Sequence, residues 1–326
     1  MGRFDIDALI QGWINMVDQL EHHFVETNGV LLHVVTAGDP SGKPVLLLHG
    51  FPEFWYGWRH QIPALMEAGF RVIVPDQRGY NLSECPKGRH AYRIDELGKD
   101  IIGLLDHWGF DRVDLAGHDW GAAVAWWIAY TYPERIKRLA ILNVPHPSVM
   151  METIRKSARQ MLKSWYIGFF QIPGLADRLM SLNHFAWATN LLQASGKATT
   201  FSGEDLSEYR KAWTNSGGLT GMINWYRALV RHRPPSAADI RIHLPTLILW
   251  GKRDVALSHE MAGKSIRLCD NARLVFFDEA THWVQHDAAA DVNRELVAFF
   301  ENNLTKERNN KKFYLNRILI NGQLRI

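Results

Sequence analysis

Along this chain, short apolar runs alternate with stretches whose apolar residues recur at helical spacing. The runs Pro44 to His49, Arg71 to Pro75, Val113 to Gly117, Leu139 to Val144, Thr246 to Trp250 and Leu274 to Phe277 are bounded by turn-forming residues. Continuous apolar character of that length predicts strands buried on both faces, as in a parallel sheet. Helical spacing is found over Ile94 to Trp108, Gly121 to Tyr132 and Asp291 to Asn302. Near the start, Phe24 to Ala37 carries two β-rich runs around Asn28-Gly29. Asn-Gly between such runs predicts a hairpin, because both turn residues must adopt positive φ. Strand–helix alternation of this kind predicts an α/β fold with a mostly parallel, doubly wound sheet.

The alternation stops near Pro145 and resumes near Leu244. Between them Trp, Met, Leu and Ala fall at helical spacing, punctuated at Pro173-Gly174, Gly217-Gly218 and Pro234-Pro235. This predicts a helical insertion over the carboxyl edge of the sheet, where open α/β folds bind ligands. The expected organisation is a core over residues 1–144 and 244–303, a helical cap over 145–243 and a basic tail over 304–326. No internal repeat is visible. The tail's last stretch, Phe313 to Ile326, has the pattern of a strand pair around Asn321-Gly322, and no function is assigned to it.

Composition narrows the class. With 326 residues, 47% hydrophobic and 22% charged, the chain reads as an ordinary globular protein. Its net charge of +3 is concentrated in the tail: residues 301–326 hold six basic and two acidic side chains, leaving the rest at −1. That distribution argues against nucleic-acid binding by the folded body. Two cysteines, Cys85 and Cys269, give neither a disulfide framework nor a CxxC metal motif. The first twenty residues lack a secretory pattern and no apolar run is long enough to span a bilayer, so a cytoplasmic location is expected. No cofactor and no metal are expected, and the oligomeric state, monomer or homodimer, is open.

The candidate chemistry begins at Gly117-His-Asp119-Trp-Gly-Ala122, between an expected strand and an expected helix. Small residues two before and two after the central position suit the tight strand-to-helix turn of the G-x-S-x-G type. Here the exposed residue is Asp119. An aspartate there can simply cap the following helix. In the elbow setting it is a nucleophile that needs no deprotonation and forms an alkyl ester by attack on saturated carbon. The segment His49-Gly-Phe-Pro52 follows an early strand, the position from which the same architecture draws one oxyanion donor. The other comes from the residue after the nucleophile, so the backbone N–H groups of Phe51 and Trp120 are nominated. An ester on Asp119 must then be hydrolysed. His282, after the last expected strand, suits the general base, ahead of His286, which falls near the following helix. Asp254, after the preceding strand in Trp250-Gly-Lys-Arg-Asp, suits the carboxylate that orients the imidazole. Among thirteen tryptophans, several fall near these motifs, and an apolar pocket drawing on His49, Pro52, Trp55, Trp165, Trp225 and Trp283 is expected.

With HGFPEFW at His49 to Trp55, DQRGY at Asp76 to Tyr80, GHDWGA, WGKRD and ATHWVQ at Ala280 to Gln285, the chain resembles the α/β-hydrolase superfamily. Within it, it resembles the epoxide hydrolases that use an Asp nucleophile. The resemblance spans about Phe24 to Asn303. It implies the α/β-hydrolase fold with a cap domain, hydrolysis of an apolar epoxide with water, and two cap tyrosines that bind and protonate the epoxide oxygen. Tyr166, ahead of Phe170-Gln-Ile-Pro-Gly174, resembles the first of these. Tyr226, in Asn224-Trp-Tyr-Arg227, resembles the second. The chain departs from the family after DQRGY, where Asn81-Leu82-Ser83 stands in place of the frequent glycine.

Two other readings compete. A haloalkane or haloacid dehalogenase would use the same Asp–His–Asp apparatus. Haloalkane dehalogenases share the Trp after the nucleophile but often have Asn where Phe51 stands, and the haloacid type has Arg where Trp120 stands. A non-catalytic small-molecule binder of the same fold would have no use for Asp119, His282 and Asp254 together.

Overall fold

The computed structural model describes residues 19–232 and 239–301. Expectations for the N-terminal segment, for Pro234-Pro235 and for the tail lie outside the described residues. The chain opens with β1 (Glu21–Thr27) and β2 (Val30–Ala37), joined at Asn28 (φ 47°) and Gly29 (φ 72°). Both turn residues are left-handed, which gives the hairpin the twist that its strands require. Then come β3 (Lys43–Leu48), α1 (Gln61–Glu67), β4 (Phe70–Pro75), α2 (Ile94–His107), β5 (Val113–His118), α3 (Trp120–Thr131) and β6 (Ile136–Leu142).

Six helices follow among the described residues: α4 (Pro147–Lys156), α5 (Ala158–Lys163), α6 (Trp165–Phe170), α7 (Leu175–Ser195), α8 (Gly203–Asn215) and α9 (Thr220–Arg231). α7 is interrupted at Leu182 to Phe185, where the backbone leaves helical geometry. The sheet resumes with β7 (Ile242–Gly251), α10 (Glu260–Ser265) and β8 (Cys269–Phe277), and the described chain closes with α11 (Val284–Asp287) and α12 (Ala289–Phe300).

The eight strands lie in the order β1-β2-β4-β3-β5-β6-β7-β8. β1 and β2 pair antiparallel, as do β2 and β4; every other pair is parallel. Side chains alternate across the sheet and build a core on each face. Leu46, Leu48, Leu115, Ile141 and Ile248 point to one side, with α2 and α3. Val45, Leu47, Ala116, Leu142 and Leu249 point to the other, with α12 and Ile62 and Leu65 of α1. Strands buried on both faces have no polar side, which explains their unbroken apolar runs. The expected α/β-hydrolase architecture is therefore present. No helix among the described residues is long and apolar enough to cross a membrane.

The helices between β6 and β7 are fixed to the sheet by specific contacts. Trp213 Nε1 donates to the Pro52 carbonyl at 2.7 Å and Trp225 Nε1 to the Arg78 carbonyl at 3.1 Å. Gly221 of α9 meets Gly79 so closely that a Cβ at 221 would lie 2.8 Å from the Gly79 Cα. Gly79 itself has φ 83°.

Candidate active site

Each residue singled out in the core stands just past the carboxyl end of a parallel strand. The His49 to Pro52 segment follows β3, Asp119 follows β5, Asp254 follows β7 and His282 follows β8. Asp119 has φ 49° and ψ −123°, a conformation that an L-residue holds only when its surroundings impose it. Packing around the turn shows how. A Cβ at Gly117 would lie 2.5 Å from the Gly121 carbonyl oxygen, and one at Gly121 would lie 2.1 Å from that of Leu48. A Cβ at Gly50 would lie 2.3 Å from the Asp119 Cβ. Three glycines thus let the turn close and let the β3 loop come up against the carboxylate.

The carboxylate is held on two sides. The Phe51 N–H donates to Asp119 Oδ1 at 2.7 Å, and His282 Nε2 lies 3.4 Å from Oδ2. His282 Nδ1 is 2.8 Å from Asp254 Oδ2. Asp254 is itself saturated: Oδ1 accepts the N–H groups of Ala256 and Leu257, and Oδ2 also accepts Asn143 Nδ2 at 2.8 Å. Burial works to raise the Asp119 pKa, but the hydrogen bond and charge of His282, with His118 and the Phe51 N–H, prevail and hold it below the usual carboxylate range. Asp254 is lowered likewise: burial opposes, and His282, Asn143 and backbone N–H groups prevail. For His282, burial favours the neutral ring. The two flanking carboxylates outweigh it and push the pKa up to about 10.

Asp119 and His282 line a cavity of about 330 Å³ together with Phe51, Pro52, Tyr166 and Tyr226. Tyr166 is the second residue of α6 and Tyr226 lies on α9, so two separate helices bring the phenols together, with ring centroids 5.8 Å apart. Burial raises both pKa values, and the Asp119 charge raises them further. The Tyr226 ring also packs edge-on against Phe51 and Trp120, at 5.3 and 5.1 Å.

A family model described as the alpha/beta hydrolase fold matches residues 43–289. A Bacillus subtilis (strain 168) protein described as AB hydrolase superfamily protein YfhM is 44% identical, covering 88% of this chain and 100% of that one. Epoxide hydrolase 4 of Mus musculus is 39% identical, covering 85% and 78%. The structure of a Bacillus megaterium epoxide hydrolase in complex with an inhibitor superposes with a TM-score of 0.79 at 32% identity, covering 86% of this chain and 100% of that one. The chain belongs to the epoxide hydrolase family of the α/β-hydrolase fold.

Of the six side chains expected in the pocket of this family member, Pro52, Trp165 and Trp283 line the cavity. His49, Trp55 and Trp225 do not. His49 is fully buried and braces the loop: Nε2 accepts the Gln77 N–H at 3.1 Å while Gln77 Nε2 donates to the His49 carbonyl. Trp55 packs against His22, Phe54 and Tyr56, and its backbone N–H donates to Asp76 Oδ1. Trp225 faces Trp120 and Tyr80 behind the site. Nearness in sequence to a motif placed all three in the pocket; their rings are spent on holding the loops that carry the motif.

Sequence reading also missed a buried polar network beneath Asp119. Glu53 accepts Tyr209 Oη at 2.6 Å, is 2.8 Å from His286 Nε2, and approaches His118 Nδ1 at 3.3 Å. His118 Nε2 meets the His282 carbonyl at 2.9 Å. Burial disfavours the Glu53 carboxylate, but His286 and His118 hold its pKa well below the usual range. Glu53 and His118 stand inside the HGFPEFW and GHDWGA motifs, but nothing in sequence spacing pairs them. Asn143 was missed too. It has φ 54°, and its Oδ1 accepts the Gly251 N–H while its Nδ2 donates to Asp254 Oδ2.

Proposed function

We propose that this chain hydrolyses an apolar epoxide to a vicinal diol in two steps, through an ester on Asp119. The observation that carries the reading is one cavity lined by a carboxylate, an imidazole and two phenols. In this reading residues 145–243 are the cap, which brings Tyr166 and Tyr226 over the core.

At rest Asp119 is ionised, His282 is imidazolium and both phenols are protonated, as their pKa shifts require. Asp119 attacks one ring carbon. The C–O bond breaks, and the ring oxygen keeps the electron pair and takes a proton from Tyr166 or Tyr226. The ester carries no charge, so one of the two anions that held the His282 proton is gone. His282 then returns its proton to the phenolate and becomes a base. It takes a proton from water as the water adds to the ester carbonyl. Phe51 and Trp120 N–H groups stabilise the oxyanion. The acyl–oxygen bond breaks, the leaving oxygen takes the proton from His282, and Asp119 transfers its own proton to His282. Epoxide plus water gives diol, with the enzyme restored and no metal or organic cofactor used.

The position of Trp120 favours this over dehalogenation, since a ring that packs against Trp225 and Tyr226 and does not line the cavity is poorly placed to hold a halide. Incubation with styrene oxide and with a bromoalkane decides between them. Diol from the first is expected, and halide release without diol would overturn the reading. In His282→Gln the first step proceeds and the second stops, so intact mass should show protein plus one epoxide. A folded variant that binds substrate without that adduct would count against the ester.

A further inference from the structure

The residues on either side of His282 are held by the inserted helices. Asp287, at the end of α11, folds back over the loop: its Oδ2 accepts the Thr281 N–H at 2.7 Å and the Thr281 hydroxyl at 2.6 Å. Its Oδ1 accepts the hydroxyl of Thr200 at 2.5 Å, from the turn between α7 and α8. The Thr200 oxygen accepts the Lys197 N–H at 2.7 Å, so this hydroxyl is used in both directions. On the other side of His282, the Trp283 indole N–H donates at 2.9 Å to Oγ of Ser195, the last residue of α7. The Trp283 ring also meets Phe201 edge-on at 5.3 Å. The single turn from Ser195 to Phe201 thus grips both neighbours of the imidazole.

The sheet holds the same loop from below, by its carbonyls. His118 Nε2 meets the His282 carbonyl, Asn143 Nδ2 donates to the Thr281 carbonyl at 3.4 Å, and a Cβ at Gly251 would lie 2.1 Å from that oxygen. The hold from above runs through Asp287 to Thr200, and both threonines are buried. Asp119 is placed otherwise, by the Phe51 N–H and the glycines of its own turn. Tyr166 and Tyr226 stand on α6 and α9. The groups that open the ring are therefore fixed elsewhere, and the turn bears on the imidazole. A base must keep Nδ1 on its carboxylate while Nε2 reaches water, and a displacement of about 1 Å can cost about a hundredfold in rate.

We propose that Asp287 and Thr200, with Ser195, are positioning residues for His282, so that the turn between α7 and α8 governs ester hydrolysis while α6 and α9 serve ring opening. This rests on the two-step epoxide hydrolase reading for its rates, but the seat of His282 is measurable without turnover. In the first measurement, ester formation and decay are followed separately with styrene oxide. Thr200→Val keeps the side chain's shape and removes the donor. It should slow decay by about ten- to a hundredfold and leave formation within about threefold. In the steady state kcat and KM should then fall together, with kcat/KM nearly kept. Thr200→Ser should restore decay. Gly196→Ala keeps every polar group but puts a methyl carbon 2.8 Å from the Thr200 hydroxyl oxygen, and should act as Thr200→Val does. In the second, the His282 ring is titrated by NMR, assigned against His282→Gln. A looser ring feels its two carboxylates less, so its pKa should fall by about half a unit to one unit in Thr200→Val and return in Thr200→Ser.

Equal slowing of formation and decay in Thr200→Val overturns the proposal, since it would make the turn a general brace for the fold. So does an unchanged His282 titration in both Thr200→Val and Gly196→Ala. A native chain that forms neither ester nor diol, with the titration still shifted in the variants, would leave the positioning role standing and sink the catalytic reading. Ester and diol formed at native rates in every variant would do the reverse.

Discussion

At the scale of single residues, the arrangement turns on one proton. His282 sits between two carboxylates that raise its pKa to about 10, yet the proposed second step needs it neutral. Esterification of Asp119, as proposed, would remove one of those charges and lower that pKa. The decay of the alkyl-enzyme should therefore speed up as pH rises through a single ionisation lying below about 10, then level off. Single-turnover decay of the trapped adduct across pH measures this, and a rate that falls with rising pH would contradict it. The phenols give a second expectation. Tyr166→Phe or Tyr226→Phe should each slow ring opening by roughly 10- to 100-fold, and the double variant by about 10³- to 10⁴-fold, read as burst kinetics of ester formation. Much at this scale was legible in the sequence, because strand–turn–helix order restricts which Asp and which His can meet. Asn81 shows where it was not. It replaces a frequent glycine, and its φ of 44° is the left-handed conformation that asparagine tolerates. Its side chain also donates to Asp76 Oδ2 and accepts from Asn215 of α8. The substitution keeps the loop and adds a tie to the helices above, which no local pattern announces.

At the scale of elements, α9 carries Tyr226 and is seated by glycine on glycine. Gly221→Ala would drive a methyl group into the Gly79 backbone and toward Cys85 Sγ. Backbone cannot yield as a side-chain end can, so a loss of about 1–3 kcal/mol is expected. Ring opening should fall more than ester hydrolysis, because α9 bears the phenol while the ends of the sheet strands bear Asp119, Asp254 and His282. Chemical denaturation and separated pre-steady-state rates test the two halves of this statement. Element boundaries were legible where burial is complete and less so at sheet ends. β7 begins at Ile242 rather than Thr246, with a register shift between Ile242 and Pro245. Proline lacks the N–H of a regular ladder, so a pattern reader starts the strand after it. β6 begins at Ile136, because Lys137 and Arg138 break the apolar run without breaking the strand. The interruption of α7 at Leu182 to Phe185 carries no Gly or Pro to mark it.

At the scale of the whole molecule, the same charges that prepare the reaction affect stability. A group whose pKa is higher folded than unfolded stabilises the fold fully below its unfolded value, about 6.5 for histidine, and loses that contribution as pH rises toward the folded value. For His282 the window runs from about 6.5 up to about 10. The Tm difference between the native chain and His282→Gln should accordingly shrink as pH increases across it; a difference that grows would reverse the sign. The tryptophans show why the pocket was harder to read than the triad. Trp213 and Trp225 use their indole N–H groups to fasten the inserted helices to Pro52 and Arg78, whereas Trp165 and Trp283 line the cavity. Residue type is the same in all four, and only the assembled molecule sorts anchors from walls.

The hydrogen bond from the Phe51 N–H to Asp119 Oδ1 fixes where each oxygen atom goes. It reserves Oδ1 as the future carbonyl and leaves Oδ2 to bond with carbon. Water then adds to the acyl carbon, and the bond that breaks is the one between that carbon and Oδ2. In the proposed mechanism the first diol to leave therefore carries an oxygen that belonged to the protein, and the water's oxygen stays behind in Asp119. In ¹⁸O-water a single turnover should label the enzyme and not the product, with heavy diol appearing only in later rounds.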